Sequence, residues 1–278
     1  MQFNKINWIM GILLISTVCL NSSVNALEEL DCVIEPQSTV EVSSATVGVL
    51  ASVRVDKGDK VKKGQLLARL QSGVEEANVQ LAKMRADSRL NIMVMQARYE
   101  LNQRSQDRLE ELIKTHATSE KELDEARART VVAKHELEKA KVEQQLAQLE
   151  LKRAKEVLEL RSIRSPINGV VVKKFKSAGE YVDNQQQPVL KLAKVDLLNV
   201  EVVAPVSLFG SIKKGMKAKV MPKESIGGIY TAKVFIVDPI IDAASGTFGI
   251  RLHLPNKKYK IPAGVGCQVE FINSRLVP

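Results

Sequence analysis

The sequence predicts an α+β fold: a long antiparallel α-helical coiled-coil hairpin inserted in a split β domain and followed by a small antiparallel β-barrel. Three observations support this prediction. Residues 74–165 contain neither glycine nor proline, the residues that most often interrupt a helix. Two segments of similar pattern flank this stretch. Strand-like runs separated by Gly, Pro and Lys turns fill residues 197–271.

The second half of the uninterrupted stretch carries a heptad repeat. Its first column contains Leu123, Thr130, Leu137, Gln144, Leu151 and Leu158. Its second column contains only alanine: Ala126, Ala133, Ala140, Ala147 and Ala154. Leucine facing alanine indicates a closely packed coiled-coil seam. The first half is less regular, because Ser88, Asn91 and Asn102 interrupt its apolar stripe, and it is expected to pack on the second half.

A turn is predicted at residues 115–119, where Ser119 and Glu122 form the S-x-x-E pattern of a capping box. The turn divides the stretch into two arms of about 42 residues, each on the order of 60 Å long. Two matched arms with a short turn favour an antiparallel hairpin over a single long helix that dimerises.

The flanking segments, residues 48–61 and 169–182, repeat each other. In both, two glycines stand at the same separation, an acidic residue follows the second glycine, and valine comes two positions later. Each segment is too small to bury a core alone. The two are therefore expected to pair with each other, with the helical stretch inserted between them.

The third segment, residues 197–271, predicts a small antiparallel barrel. Residues 30–42 are also strand-like and are expected to add a strand to it. Cys32 and Cys267 would then lie in the same small domain. Two outcomes stay open for them: a disulfide in an oxidising compartment, or two unpaired buried thiols. The sequence has no C-x-x-C motif or His–Cys cluster, which argues against a metal or redox-motif site.

Residues 1–26 are typical of a secretory signal, with a basic start at Lys5, an apolar run over residues 8–20 and a small residue, Ala26, for cleavage. The alternative is an uncleaved anchor. The net charge is +9, and in the helical stretch the basic residues are interspersed with acidic ones. Export from the cytoplasm, which the signal implies, argues against nucleic-acid binding. No hydrolase, metalloprotease or phosphate-loop motif is present, so neither enzymatic activity nor a cofactor is predicted.

This organisation resembles the membrane fusion proteins, the HlyD-like and AcrA-like periplasmic adaptors of efflux pumps and type I secretion systems. The motif G-V-L-A-S-V-R-V-D-K-G-D-K-V-K-K-G-Q-L-L-A-R-L spans residues 48–70, and I-R-S-P-I-N-G-V-V spans residues 163–171. The resemblance implies a split lipoyl-like domain. True lipoyl domains carry a modified lysine in the turn that the hairpin replaces here, so no carrier site is expected.

The resemblance also implies a division of the chain. It comprises a signal peptide (1–26), a strand contributing to the barrel (27–44), lipoyl-like halves (45–72 and 163–195), a helical hairpin (73–162) and a barrel domain (196–278). The membrane-proximal domain of many adaptors is expected to be absent or vestigial.

Adaptors that dock on TolC-type outer-membrane channels carry the pattern R-x3-L-x6-S at the hairpin tip, and Arg108, Leu112 and Ser119 have this spacing. Arg108 is suited to bind carbonyls or carboxylates of a partner helix. Leu112 is suited to bury in a groove, and Ser119 to cap the second helix. The alternative is an ordinary surface arginine, a seam leucine and a plain N-cap.

The resemblance therefore implies an adaptor in the periplasm, peripheral to or tethered at the inner membrane. Its partners would be an inner-membrane transporter, with the resistance-nodulation-division (RND) type favoured over the ABC type, and a TolC-type channel. Self-association into a ring, expected to be a hexamer, is also implied, and some peripheral membrane contact is expected. The rival interpretation is a structural or anchoring coiled-coil protein of the envelope.

Overall fold

The structure of the chain is a computed structural model that describes residues 29–183, 188–223 and 226–272. The strands in these residues are β1 Leu30–Val42, β2 Gly48–Val53, β3 Lys60–Val61, β4 Leu66–Leu70, β5 Ser162–Arg164, β6 Gly169–Lys174, β7 Tyr181–Val182, β8 Leu190–Pro205, β9 Lys217–Pro222, β10 Tyr230–Asp242, β11 Thr247–Pro255 and β12 Val265–Ile272. The helices are α1 Gly73–Asp87, α2 Leu90–Lys114 and α3 Glu120–Glu159.

Six antiparallel strands form a closed barrel. Their hydrogen-bonded order is β1-β12-β9-β10-β11-β8, and β8 pairs back onto β1. Alternate side chains point inward, as expected for strands with one buried face. In β11, for example, Phe248, Ile250, Leu252 and Leu254 are buried. These residues join a core that every strand of the barrel supplies.

Strands β1 and β8 continue beyond the barrel. The first part of β1 pairs with β12, from Leu30 opposite Val269 onward. The last part pairs with the start of β8, with Val42 opposite Leu190. The register shifts between Pro36 and Ser38, where proline cannot donate a ladder hydrogen bond. β1 therefore contributes both to the barrel and to the β unit that the two repeated segments form, whereas the sequence suggested a contribution to the barrel only.

The two repeated segments pair with each other, as the repeat predicted. β3 pairs with β6 and β2 with β7, so each of these two pairings joins one segment to the other. β4 and β5, which lie just outside the two segments, also pair with each other. Inward side chains of these strands and of the first part of β8 form a second core, which includes Leu50, Leu67, Val171 and Leu192. We call this part the barrel-sandwich unit.

The Gly-acidic pairs of the repeat form two equivalent turns. Gly58 and Gly179 have φ angles of 94° and 89°, which glycine adopts without steric strain. The Asp59 carboxylate accepts a hydrogen bond from the Asp56 amide at 2.7 Å, and the Glu180 carboxylate accepts one from the Ser177 amide at 2.7 Å. The recurring motif is therefore explained by the same turn geometry in both halves.

The helices lie between β4 and β5 in the chain, and α3 packs antiparallel against α1 and α2. Two ion pairs show the direction: Arg98 contacts Glu136 at 3.1 Å, and Arg127 contacts Glu110 at 3.3 Å. Residue numbers thus rise on α2 as they fall on α3. The buried residues of α3 all belong to the two predicted columns: Leu123, Ala126, Thr130, Ala133, Leu137 and Ala140.

The first arm is not the single helix that the sequence suggested. It breaks at Ser88 and Arg89, and Ser88 is extended with φ −72° and ψ 116°. Asp and Ser side chains compete with the helical backbone for hydrogen bonds, which favours a helix end after Asp87. The Ala86 carbonyl is one of the last four of α1, which lack a partner within their helix. It accepts a hydrogen bond from the side-chain amide of Gln144 on α3.

Candidate docking site at the hairpin tip

The turn between α2 and α3 is fixed by backbone hydrogen bonds. The His116 amide donates to the Ile113 carbonyl at 3.1 Å, and the Ala117 amide donates to the Leu112 carbonyl at 3.0 Å. His116 has a left-handed φ of 56°. This combination is a Schellman motif, in which glycine is the usual left-handed residue. Two of the last carbonyls of α2, those of Leu112 and Ile113, are therefore satisfied within the turn, which has a defined shape.

Ser119 begins α3 with the predicted capping box. Its hydroxyl oxygen accepts a hydrogen bond from the Glu122 amide at 3.3 Å, and the Glu122 carboxylate accepts one from the Ser119 amide at 3.3 Å. The Thr118 hydroxyl also donates to this carboxylate. The hydrogen bond from Thr118 and that from the Ser119 amide lower the pKa of Glu122. A carboxylate in the first turn is favourable, because the helix dipole is positive there.

Arg108 and Leu112 lie one helical turn apart on the same side of α2. Arg108 is exposed, and it forms no ion pair with any residue that the structure describes. The Leu112 side chain is 44% exposed and lies beside Arg108 in a shallow surface depression. The structure thus brings Arg108 and Leu112 together. Ser119 lies across the turn, and its hydroxyl oxygen is engaged in the cap.

The inner side of the same helical segment is tied to α3. The Glu110 carboxylate accepts hydrogen bonds from the Gln106 side chain at 3.0 Å and from Arg127 at 3.3 Å. The Gln106 bond, followed by the Arg127 bond, lowers the pKa of Glu110. Glu110 faces α3. Arg108 and Leu112, each two residues from Glu110, therefore lie on the opposite side of α2 and face outward.

The base of the two arms is held by a residue that sequence reasoning did not single out. Arg161, just after α3, contacts Glu75 at 2.6 Å and the Val47 carbonyl at 2.9 Å. It therefore connects α1, α3 and the chain that enters β2. The sequence offers no signal for this contact, since the three segments are far apart along the chain.

Cys32 and Cys267 are directly opposite each other on β1 and β12, with a Cα–Cα distance of 4.8 Å. A disulfide joins them in the structure, across 235 positions of sequence. Both residues are buried in the barrel core.

The predicted signal peptide, residues 1–26, lies outside the described residues. Within the part of the chain that is described, no helix combines the length and apolar character that a membrane span requires. In that same part, no group of three or more His, Cys, Asp or Glu side chains is placed to hold a metal ion.

Comparison with known proteins identifies the class. The family model described as the CzcB-like barrel-sandwich hybrid domain matches residues 38–194, and that described as the CusB-like β-barrel domain matches residues 198–275. The chain belongs to the membrane fusion proteins, a family of periplasmic adaptors.

Two curated relatives are pyoverdine export membrane fusion proteins PvdR. The protein of Pseudomonas aeruginosa is 31% identical over 229 residues, which cover 81% of this chain and 58% of the relative. That of Pseudomonas putida is 36% identical over 202 residues, which cover 72% and 50%. The chain thus spans about half the length of the curated relatives it matches.

A similar solved structure is that of MacA from Actinobacillus actinomycetemcomitans. It superposes with a TM-score of 0.71 at 24% identity and covers 88% of this chain and 78% of MacA. At this identity the likeness shows a common fold.

Proposed function

We propose that this chain is the periplasmic adaptor of a tripartite export system, which links an inner-membrane transporter to a TolC-type outer-membrane channel. The observation that carries this proposal is the exposed Arg108–Leu112 pair beside a turn of defined shape. A guanidinium can bind carbonyls or carboxylates of a partner helix, while a neighbouring leucine fills a groove. Export is also the process for which the PvdR relatives are named.

The proposed mechanism is assembly rather than catalysis. Several copies pack side by side around an axis, expected to number six, so that the barrel-sandwich units form a ring and the hairpins form a tube. Exposed apolar side chains on the helices support such lateral contacts, since large exposed apolar surfaces usually mark interaction sites. These side chains include Leu90, Val94, Leu101, Val131, Val142 and Leu149. The tips then engage the channel and favour its open state.

We place the protein in the periplasm, peripheral to or tethered at the inner membrane. An RND-type transporter is the partner we favour over an ABC-type one, because the arms are short. The 40 residues of α3 amount to about six heptads. This preference is an analogy with the family and is tested by identifying the transporter that co-purifies with the protein.

Site-specific photo-cross-linking in the native envelope tests the docking proposal. A photoreactive amino acid replaces Leu112 or, as a control, Leu149, which is also an exposed leucine but lies near the opposite end of α3. We expect an adduct with an outer-membrane protein from position 112 only. Adducts with the same outer-membrane protein from both positions, or none from position 112, would contradict tip docking. The second outcome would favour a structural or anchoring role in the envelope.

A further inference from the structure

A cleft of about 530 Å³ lies between the barrel-sandwich unit and the barrel. One wall is formed by β6 and the turn before β3, with Val170, Val172 and Gly58. The other wall is the connection between β11 and β12, with Tyr259 and Ile261. Clefts of about 300–1,000 Å³ with mostly apolar walls are typical sites for small organic ligands.

The wall supplied by the β11–β12 connection is held by a network of hydrogen bonds. The buried side-chain amide of Asn256 donates to the Val195 carbonyl at 2.9 Å and to the Ile261 carbonyl at 2.8 Å. Its oxygen accepts from the Ile261 amide at 3.1 Å. Farther along the connection, the Gly264 amide donates to the Ile34 carbonyl at 2.7 Å. The connection is thus bonded to both β8 and β1, and the cleft is preformed.

A cation and an aromatic ring meet at this cleft. Tyr259 has a left-handed φ of 55°, a conformation that is uncommon for residues other than glycine and that recurs at ligand-binding sites. The Lys60 ammonium lies over the Tyr259 ring, 4.7 Å from its centroid. The contact crosses from the barrel-sandwich unit to the barrel, so it fixes a positive charge where the two walls face each other.

The charged side chains that line the cleft are both lysines, Lys57 and Lys60. Three more exposed lysines, Lys257, Lys258 and Lys260, belong to the connection that forms the opposite wall. None of the five forms an ion pair with any residue that the structure describes. The cleft therefore combines apolar walls with an excess of positive charge.

The carboxylates next to Lys57 in the chain already have partners. Asp56 pairs with Lys174 at 2.6 Å, and the hydrogen bond between them is the main cause that lowers the pKa of Asp56. Asp59 accepts the hydrogen bond of the turn from the Asp56 amide. Neither carboxylate lines the cleft, so the positive charge there is left for a bound anion to offset.

We propose that this cleft binds a small amphipathic organic anion, with an apolar carbon body and one carboxylate or sulfonate. Val170, Val172 and Ile261 would remove the apolar body from water. The anionic group would accept a charge-assisted hydrogen bond from the ammonium of Lys57 or Lys60. A neutral apolar molecule gains only the first contribution, and a hydrophilic anion gains only the second. The site is separate from the hairpin tip.

Two fluorescent dyes that differ by one charged group test this site. Anilinonaphthalenesulfonate and N-phenylnaphthylamine share an aromatic body, and only the first carries a sulfonate. Fluorescence titration of the full chain gives the Kd of each dye. Lys57→Gln/Lys60→Gln should raise the Kd of the sulfonate dye by about tenfold and leave that of the neutral dye unchanged. The control Lys62→Gln/Lys63→Gln removes two exposed lysines that do not line the cleft and should change neither Kd.

A variant that fills the cleft tests where the dyes bind. Val172 lines the cleft and is 40% exposed, so Val172→Trp should raise the Kd of both dyes severalfold. Val203→Trp makes the same change at a valine of the barrel that is 64% exposed and does not line the cleft, and it should change neither Kd. Circular dichroism checks that both variants fold. Dye bound to apolar side chains of the helices is a background that none of the variants alters.

Equal effects of the two tryptophan variants, or of the two lysine variants, would overturn the proposal. So would an equal loss of both dyes in Lys57→Gln/Lys60→Gln, because the anionic group would then not be recognised. Release of dye as the protein concentration rises, with a matching rise in mass by light scattering, would assign the cleft to a second copy of the chain instead. None of these outcomes bears on channel docking, because no channel is present.

Discussion

The guanidinium of Arg161 donates two hydrogen bonds to one carboxylate oxygen of Glu75, at 2.6 Å from Nη2 and 3.0 Å from Nε. The remaining nitrogen, Nη1, donates to the Val47 carbonyl at 2.9 Å. A hydrogen bond from its own amide, followed by that from Arg161, lowers the pKa of Glu75. This contact joins the first turn of α1 to the end of α3, and so it fixes the base from which both arms of the hairpin extend.

Loss of this contact should destabilise the protein. The two side chains are only 24% and 13% exposed, so Arg161→Ala should lower the free energy of unfolding by about 1.5–3 kcal/mol. Arg98→Ala is the control. Arg98 and Glu136 form an ion pair whose side chains are 60% and 38% exposed, so its loss should lower the free energy of unfolding by about 1 kcal/mol or less. Urea denaturation followed by circular dichroism measures both. Equal losses for the two variants would contradict the role of Arg161.

The left-handed residue at the tip leads to a second prediction. His116 has φ 56°, a conformation that costs a non-glycine residue about 1–2 kcal/mol. His116→Gly should therefore stabilise the turn, by about 0.5–1 kcal/mol after the greater flexibility of unfolded glycine is subtracted. Hydrogen exchange of the Ala117 amide reports this locally and should slow by several-fold. His116→Val should make the same amide exchange faster, and unchanged exchange in both variants would argue against the Schellman turn.

The position of the cysteines predicts a disulfide in protein taken from the periplasm. Cys32 and Cys267 lie opposite each other on neighbouring strands, 235 positions apart in sequence, and a bridge that closes a long loop typically adds about 2–4 kcal/mol. Non-reducing peptide mass spectrometry should recover Cys32 and Cys267 in one cross-linked peptide. Reduction should lower the urea midpoint of the wild type but not that of Cys32→Ser/Cys267→Ser. Two free thiols in periplasmic material would refute the bridge.

His253 predicts a pH dependence of stability. Its ring stacks on Phe235 at 3.9 Å, and burial, followed by the nearby Arg251 charge, lowers its pKa below 6.5. The unfolded chain then binds the proton more tightly, so this contribution to stability is complete above the unfolded pKa and is lost as pH falls toward the lower folded value. The free energy of unfolding of the wild type, relative to that of His253→Gln, should therefore be lower at pH 5 than at pH 7. A pH-independent difference would exclude this coupling.

The features that the sequence predicted well depend on local patterns. The heptad columns, such as Leu123 with Ala126, require only helical periodicity. The capping box at Ser119 and Glu122 and the repeated Gly-acidic turns are likewise read within a few residues. These patterns were enough to predict how the two β segments pair and which face of α3 is buried.

Other features depend on residues that are distant in sequence. The break after Asp87 leaves the Ala86 carbonyl without a helical partner, and the Gln144 side chain on α3 donates a hydrogen bond to it. The position of Gln144 in a column of mostly leucine did not by itself indicate this role. The sequence did not indicate a Schellman turn, because His116 stands at the left-handed position where glycine is usual.

The hairpin tip is proposed to bind an outer-membrane channel. The most direct test is recovery of outer-membrane proteins from the native envelope with the wild-type protein, Arg108→Asp and Arg153→Asp. Arg153 is an exposed arginine near the opposite end of α3, and its variant introduces the same change of charge. We predict that a channel is recovered with the wild type and with Arg153→Asp but not with Arg108→Asp. Equal recovery with Arg108→Asp, or no channel with any of the three, would contradict the proposed docking site.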